Sequence, residues 1–208
     1  MLCVVGHPDD EVLGCGATLA KAVDLGADVR ILLPVHRTDP RGREHWDEIV
    51  GQFHDAAAIL GVEAHVSPNT LSEEQAETDL KRLHELVAEQ VAWSDVVITH
   101  WPGDVHQVHQ QVSRAVEIAT RPFRLRRTVL LMEVRTSTDQ AFASAFNPGL
   151  FVDIDESQAR RKLDAMAVYR TEQDPGRRPE DLERHLRERG VQSGTTYAEA
   201  FVVARAFL

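Results

Sequence analysis

Cysteines and long hydrophobic runs are scarce in this sequence, and each absence excludes a class of protein. Only Cys3 and Cys15 occur among the 208 residues, so no disulfide framework is expected. No apolar stretch approaches the about 20 residues that cross a membrane. The N-terminus enters directly into strand-like sequence and lacks the basic segment of a signal peptide. We therefore expect a reduced, cytoplasmic protein without a membrane span.

Basic residues are outnumbered as well. The 23 lysines and arginines stand against 33 aspartates and glutamates, which gives a net charge of -10. Nucleic acids and anionic membranes attract basic surfaces, so neither is expected as a partner. The composition is otherwise ordinary for a globular protein, with 43% hydrophobic and 27% charged residues. The length predicts a single domain over residues 1–208.

Short apolar runs alternate with helix-like segments over the first two thirds of the chain. This order is typical of a parallel sheet with crossover helices. The predicted strands are residues 2–6, 28–33, 63–66, 95–99 and 128–134, with two more near Phe151 and Phe201. The predicted helices are residues 12–25, 43–60, 73–91, 107–120, 156–169 and 179–190. Residues 171–178 combine Pro, Gly and charge and are interpreted as a mobile surface loop.

Four ionisable side chains follow the first predicted strand directly, in the stretch His7-Pro8-Asp9-Asp10-Glu11. Ligands of open parallel sheets bind at the carboxyl ends of the strands. An imidazole at position 7 and a carboxylate at position 10 suit a zinc-type ion, and Asp9 is then left as an acid or base beside it. The alternative is a turn followed by a helix N-cap, because Pro favours turns and Asp caps helices.

A second cluster of histidines follows the predicted strand at residues 95–99 and opens the predicted helix at residues 107–120. His106 and His109 are three residues apart, so they share a face on the first turn of a helix. Histidine is the commonest metal ligand near neutral pH. For this pair alone, two solvated histidines at a helix N-terminus are an equal alternative. Two such clusters at one edge of a sheet favour a metal site.

Together the two motifs resemble the LmbE/PIG-L family of zinc-dependent N-deacetylases. The specific element is His-Pro-Asp-Asp-Glu at residues 7–11, and residues 12–18 are close to the usual continuation. Residues 106–109 resemble the downstream His-x-Asp-His element of the family. Weaker matches extend the resemblance over essentially the whole chain, at residues 146–154, Lys162, residues 165–170 and residues 197–201. The resemblance implies an α/β, Rossmann-like three-layer sandwich with a mostly parallel sheet.

The residues and the resemblance select the same metal ligands, which are His7, Asp10 and His109. The implied cofactor is Zn²⁺, although the same donors also accept another divalent ion such as Fe²⁺. Asp9 would act as the general base toward a metal-bound water and then pass the proton to the departing amine. His106, when protonated, would donate to the tetrahedral oxyanion.

Candidate substrate contacts follow the second and fourth predicted strands. Arg37, Arg41 and Arg43 lie at the same sheet edge as the ligands, and the resemblance favours Arg43 as the residue that holds a sugar hydroxyl or a phosphate. A solvated basic loop is the alternative. Trp101 can stack on a sugar ring or pack at the rim of the site.

The expected function is removal of an N-acyl group, acetyl in the first place, from an amino sugar or GlcNAc-containing small molecule. The alternative is a metal- or sugar-binding protein of the same fold with little turnover. Val108 supports that alternative, because the family has an Asp there to orient the neighbouring histidine; Asp104 is a candidate substitute. Asp9 opposes it, since a binding protein needs no free base beside the metal. A homo-oligomer is compatible with the trimers and hexamers of the family.

Overall fold

The computed structural model describes residues 1–142 and 145–207. Within these residues, seven strands form one sheet with helices on both faces. The strands are β1 (Leu2–Val4), β2 (Arg30–His36), β3 (Glu63–Ser72), β4 (Val96–His100), β5 (Thr128–Met132), β6 (Leu150–Ile154) and β7 (Tyr197–Arg205). The helices are α1 (Asp10–Asp24), α2 (Pro40–Leu60), α3 (Glu73–Thr78), α4 (Leu80–Trp93), α5 (Gln107–Ala119), α6 (Arg135–Thr138), α7 (Glu156–Val168) and α8 (Pro179–Ser193), with a 3₁₀ turn at Arg170–Glu172.

The strand order is β3-β2-β1-β4-β5-β7-β6. The first five of these strands are parallel, whereas β7 pairs antiparallel with both β5 and β6. This arrangement confirms the predicted α/β fold with a mostly parallel sheet. Strand β1 lies between β2 and β4, so the chain that leaves its carboxyl end enters the middle of the sheet edge.

Alternate side chains of β1 face two different helical layers. Cys3 packs into a core built with α1, α2 and α7, and Leu2 and Val4 pack into a second core built with α4 and α5. Because side chains alternate along a strand, a strand buried on both faces reads as the uninterrupted apolar run seen at residues 2–6. None of the helices in the described residues combines the length and apolar content of a membrane span.

The predicted helix at residues 73–91 is two helices in the structure. The break falls at Asp79, whose side chain accepts a hydrogen bond from the amide of Arg82 and so caps α4. Ser72 and Gln75 form a capping box that starts the preceding helix, α3. The prediction of one continuous helix was therefore wrong, because the apolar periodicity does not reveal that Asp79 is the N-cap of a second helix.

Helix α1 is interrupted at Cys15, where φ is -149° and ψ is 15°. A buried ion pair from the last third of the chain binds the backbone around this kink. Lys162 Nζ donates to the carbonyl of Leu13 at 3.0 Å and to the carboxylate of Glu199 at 2.5 Å. The same carboxylate accepts hydrogen bonds from two backbone amides beyond the kink, those of Ala17 and Thr18. The direction of the first half of α1 thus depends on α7 and β7.

The first half of α1 also lies very close to the end of β5. A Cβ atom built on Gly14 would be 2.5 Å from Met132 Sδ and 3.1 Å from the carbonyl oxygen of Glu133. Only glycine leaves room for this approach. The close contact fixes the height of α1 above the sheet, and therefore the place of the polar residues at its start.

We expect Gly14→Ala to lower the free energy of unfolding by about 1–3 kcal/mol, because the added methyl group must push α1 away from β5. The matched control is Gly51→Ala on the exposed face of α2, where a Cβ atom would meet nothing within 4 Å. That change should raise the free energy of unfolding by about 0.5–1 kcal/mol, because alanine is the better helix former. Urea denaturation followed by circular dichroism measures both, and equal effects would contradict the packing argument.

Candidate metal centre and active site

The turn between β1 and α1 carries the first polar motif to the carboxyl edge of the sheet. Asp9 has a left-handed backbone, with φ 97° and ψ -28°, and it occupies the N-cap position of α1 without a side-chain cap hydrogen bond. The alternative interpretation of this stretch as a turn and N-cap therefore does not account for the Asp9 carboxylate. Asp10 begins the helix, and its Oδ2 accepts a hydrogen bond from the backbone amide of His7 at 2.8 Å.

Three buried donor atoms converge at this point. His7 Nδ1 lies 3.3 Å from His109 Nε2 and 3.5 Å from Asp10 Oδ2, and the latter two atoms are 3.2 Å apart. Ligands of a tetrahedral ion with bonds of about 2.0–2.1 Å are separated by about 3.3 Å. The three atoms thus have the spacing of three corners of a tetrahedron around a divalent ion. The structure brings together the three residues predicted as ligands, and they fit a metal.

Each of the two histidines turns its other ring nitrogen toward a carboxylate. His7 Nε2 is 3.0 Å from Glu73 Oε1, while the second oxygen of Glu73 accepts hydrogen bonds from the amide and the hydroxyl of Thr38. His109 Nδ1 is 3.4 Å from Asp104 Oδ2. A carboxylate at the outer nitrogen selects the tautomer whose inner nitrogen presents a lone pair to the metal. Both histidines are therefore oriented as ligands.

Opposite charges within the cluster stabilise each other's ionised forms. The hydrogen bond from His7, followed by those from Thr38, holds the pKa of Glu73 well below its ordinary value. Burial disfavours ionised Asp10, but His109 and His100 hold the pKa of that carboxyl well below its usual range. Burial likewise opposes a charged His109, yet Asp10 and Asp104 raise its pKa to about 9. A metal that binds here must therefore displace a proton from His109.

His100 is a fourth buried group in the cluster, and it was not predicted to have a role. Its Nε2 accepts a hydrogen bond from the amide of Gly6 at 2.9 Å and lies 3.4 Å from Asp10 Oδ2. Its ring stacks on that of His109, with centroids 3.9 Å apart. Because the Nε2 lone pair is used by the backbone, we assign His100 to support of the His109 ring and not to metal binding. Its position as the last residue of β4 was the available sequence signal.

His106 lies beside the ligands but without a carboxylate partner. Its ring is 4.5 Å from that of His109 and 4.7 Å from that of His7, and its Nδ1 has no partner among the described residues. Burial, with His7 and His109, lowers the pKa of His106 to about 4. This shift favours the neutral imidazole near pH 7, whereas a protonated donor was expected.

The family has an aspartate at position 108 that can orient the neighbouring histidine, and Asp104 does not take over this role for the His106 ring. Val108 is buried in the core that contains α5, where its Cγ1 approaches Gly6. Asp104 Oδ1 accepts a hydrogen bond from the backbone amide of His106 at 2.7 Å. Its other oxygen, Oδ2, lies 3.4 Å from His109 Nδ1 and accepts from the hydroxyls of Ser137 and Thr138. Burial opposes the ionised form of Asp104, but His109 and the hydroxyl of Thr138 lower its pKa to about 2. Asp104 therefore orients His109, the predicted metal ligand, instead.

Asp9 is bound by a residue that the sequence interpretation placed in a surface loop. Arg177 donates to Asp9 Oδ2 at 2.8 Å, and Asp9 Oδ1 is buried without a partner in the described part of the chain. Burial raises the pKa of Asp9 to about 7 against the lowering effect of Arg177. The surface-loop interpretation of residues 171–178 was wrong here, because Glu172 is fully buried and Arg177 reaches the site.

A cavity of about 140 Å³ opens beside the donor atoms, and its wall is charged. Its lining consists of His7, Asp9, Asp10, Arg37, Asp39, Glu73, His106, His109 and Arg177. Arg43 is outside this lining and donates to the carbonyl of Thr38. Trp101 is also outside it and packs edge-on against Phe146, with centroids 5.9 Å apart. Of the candidate substrate contacts, only Arg37 faces the cavity.

Comparison with known proteins connects this geometry to a family. The model of the PIG-L family, described as GlcNAc-PI de-N-acetylase, matches residues 2–120, which include all the predicted metal ligands. Among curated protein sequences, none matches this chain.

Solved structures share the fold over nearly the whole chain. N,N'-diacetylchitobiose deacetylase from Pyrococcus horikoshii, in complex with its inhibitor MPG, is 21% identical with a TM-score of 0.69, and the match covers 97% of this chain and 82% of that one. The zinc-inhibited form of teicoplanin deacetylase Orf2 is 16% identical with a TM-score of 0.74, covering 99% and 98%. The 4-carboxy-2-hydroxymuconate hydratase GalB from Pseudomonas putida KT2440 is 17% identical with a TM-score of 0.69, covering 100% and 96%. At these identities the similarity establishes the fold.

We expect Glu73→Ala to weaken metal binding about 10- to 100-fold, because His7 then loses the partner that selects its tautomer. Glu74→Ala is the matched control, since Glu74 lies in the same first turn of α3 and its carboxylate accepts from the Thr38 hydroxyl at 3.1 Å. Competition with a chromophoric chelator measures both affinities. Equal affinities for the two variants would contradict an orienting role for Glu73.

Proposed function

Because the chain belongs to the PIG-L family, we propose that it is a metal-dependent N-deacetylase that hydrolyses the linear amide of an N-acetylated amino sugar or GlcNAc-containing small molecule. The observation that carries the proposal is the triangle of His7, Asp10 and His109 donors, with Asp9 in the lining of the same cavity and its Oδ1 without a partner among the described residues. The family match supports de-N-acetylation as the reaction. The geometry supports a metal as its cofactor.

We propose Zn²⁺ as the ion, with Fe²⁺ as the alternative that the same donors accept. His7 Nδ1, Asp10 Oδ2 and His109 Nε2 would hold it, because these atoms converge at tetrahedral spacing. When bound, such an ion acidifies a water molecule and polarises the acyl carbonyl. Glu73 and Asp104 keep the two histidines in the ligand tautomer.

Asp9 is the proposed general base and acid. Its Oδ1 is free to accept a proton from the attacking water, while Oδ2 stays bound to Arg177. Amide hydrolysis then requires protonation of the departing nitrogen, and Asp9 Oδ1 can return the same proton to it. A pKa of about 7 suits a group that must both take and give a proton near neutral pH.

His106 is the proposed donor to the tetrahedral oxyanion of the substrate. A neutral imidazole still carries one N–H, so His106 can donate this hydrogen bond without a positive charge. Arg37 lines the cavity, and we propose it as the contact for a substrate hydroxyl in place of Arg43. Trp101 remains a proposed stacking surface for the part of a substrate that extends beyond the cavity.

The second candidate function is a binding protein of the same fold with little turnover. His106 without a carboxylate partner favours it. Asp9 favours the enzyme, because its Oδ1 has no partner in the described part of the chain and a binding protein needs no free base beside the metal.

Amine release from a panel of N-acetylated amino sugars, nucleotide sugars and glucosaminyl conjugates tests the proposal. The zinc-loaded protein should release amine from at least one member, a chelator should abolish the release, and restored zinc should recover it. If no member of the panel releases amine while one ion is bound per chain, the result would favour the binding protein.

Asp9→Asn should reduce kcat by at least about 100-fold, because the amide cannot serve as a base. The metal content should stay at the wild-type value, since Asp9 is not one of the three converging donors. Asparagine is the suitable replacement because it tolerates the left-handed backbone of residue 9. His109→Ala should lose both metal and turnover. Metal analysis beside amine release measures the two effects, and a near-normal rate for Asp9→Asn would disprove the assigned base.

A further inference from the structure

Residues 171–178 connect α7 to α8 and fold back over the candidate site. The segment is held at its start by side-chain contacts: the hydroxyl of Thr171 donates to Gln52 Oε1 at 3.0 Å, and the amide of Gln173 donates to the carbonyls of Met166 and Tyr169. These bonds attach it to α2 and to the end of α7. The segment is thus a fixed part of the structure, although its composition suggests a solvated loop.

Glu172 is the main anchor of this segment. It is fully buried, and its Oε2 lies 2.7 Å from Arg41, 3.0 Å from Arg37 and 3.5 Å from Arg177. A buried carboxylate is stable only when it is paired with positive groups. Arg37 and Arg41 belong to the chain that follows β2, so this ion cluster joins residues 171–178 to the wall of the cavity.

Arg177 extends from the same segment to Asp9. Its Nη1 donates to Asp9 Oδ2 at 2.8 Å, and Asp9 is only 1% exposed. The Asp9 side chain has no cap bond to α1, and its Oδ1 has no partner in the described part of the chain. Among the described contacts of the Asp9 side chain, the bond to Arg177 therefore is the one that sets its rotation. With Oδ2 held, Oδ1 is left as the free oxygen.

We propose that Arg177 is a positioning residue for Asp9, and that Glu172, which is itself anchored by Arg37 and Arg41, holds Arg177 in place. The inference rests on the proposed function of Asp9 as the base of the deacetylase. The Nη1 atom of Arg177 lies 2.8 Å from Asp9 Oδ2 and 3.5 Å from Glu172 Oε2, so one positively charged group faces both carboxylates. The residue does not touch the reacting atoms; it keeps one oxygen of the base aimed at them.

Replacement of Arg177 by alanine and by lysine tests the proposal in the metal-loaded protein. Arg177→Ala should lower kcat about 10- to 100-fold, as expected when a catalytic group is misplaced by about 1 Å. KM and metal content should stay near the wild-type values. Arg177→Lys should fall between the wild type and the alanine variant, because lysine keeps the positive charge but carries it on a flexible stem of different reach.

Two controls separate positioning from a loss of structure. Arg170→Ala removes a neighbouring arginine whose side chain is 74% exposed and whose nearest acid, Glu48, is 3.8 Å away, so it should leave kcat unchanged. Added methylguanidinium should restore part of the rate of Arg177→Ala and none in Arg170→Ala. A raised KM with unchanged kcat in Arg177→Ala would overturn the proposal, since it would make Arg177 a substrate contact.

A second readout does not depend on turnover. Carbodiimide labelling of carboxylates, localised by peptide mass spectrometry, reports whether Asp9 is held. Labelling of Asp9 should increase in Arg177→Ala and not in Arg170→Ala. If the wild type releases no amine but this increase is seen, the proposed function fails and the Arg177–Asp9 constraint stands. If the wild type is active and both kcat and labelling of Arg177→Ala match it, Arg177 does not position Asp9.

Discussion

One oxygen atom, Oδ2 of Asp10, is the point on which the site depends. It accepts the backbone amide of His7 and lies within 3.5 Å of a ring nitrogen of His7, His100 and His109. A buried carboxylate with so low a pKa must have a positive neighbour. In the metal-free protein that neighbour is the proton on His109, and a bound ion would replace it. The ends of β1 and β4 and the starts of α1 and α5 meet around this one charge.

Features that are local in sequence could be predicted. His7 and Asp10 sit just after a buried strand, and His109 sits on the first turn of the helix that follows another. Because parallel strands end at the same edge, these three residues could be placed together without knowledge of any side-chain contact. Asp9 was identified for the same reason, as the carboxylate left over beside the ligands.

Residues that reach the site from distant segments could not be predicted. Glu73 is 66 positions from His7, and Arg177 is 168 positions from Asp9. Whether such side chains arrive depends on the path of α3 and of residues 171–178, and periodicity carries no information on those paths. Composition was misleading as well, because two charged residues of this segment turn inward: Glu172 is fully buried against Arg37 and Arg41, and Arg177 reaches toward it. The same limit applied to Arg43, which is outside the lining of the cavity, whereas Arg37 belongs to that lining.

The kink of α1 at Cys15 has a consequence for the order in which the protein acquires its site. The segment before the kink is only five residues long, Asp10 to Gly14, and a helix that short does not persist by itself. Lys162 Nζ donates to the carbonyl of Leu13 within this segment, and Glu199 accepts from the amides of Ala17 and Thr18 just beyond the kink. The three proposed metal ligands lie within the first 109 residues, and a chain of that length lacks both of these partners. We therefore expect the candidate centre to form during folding only after α7 and β7 have docked on α1.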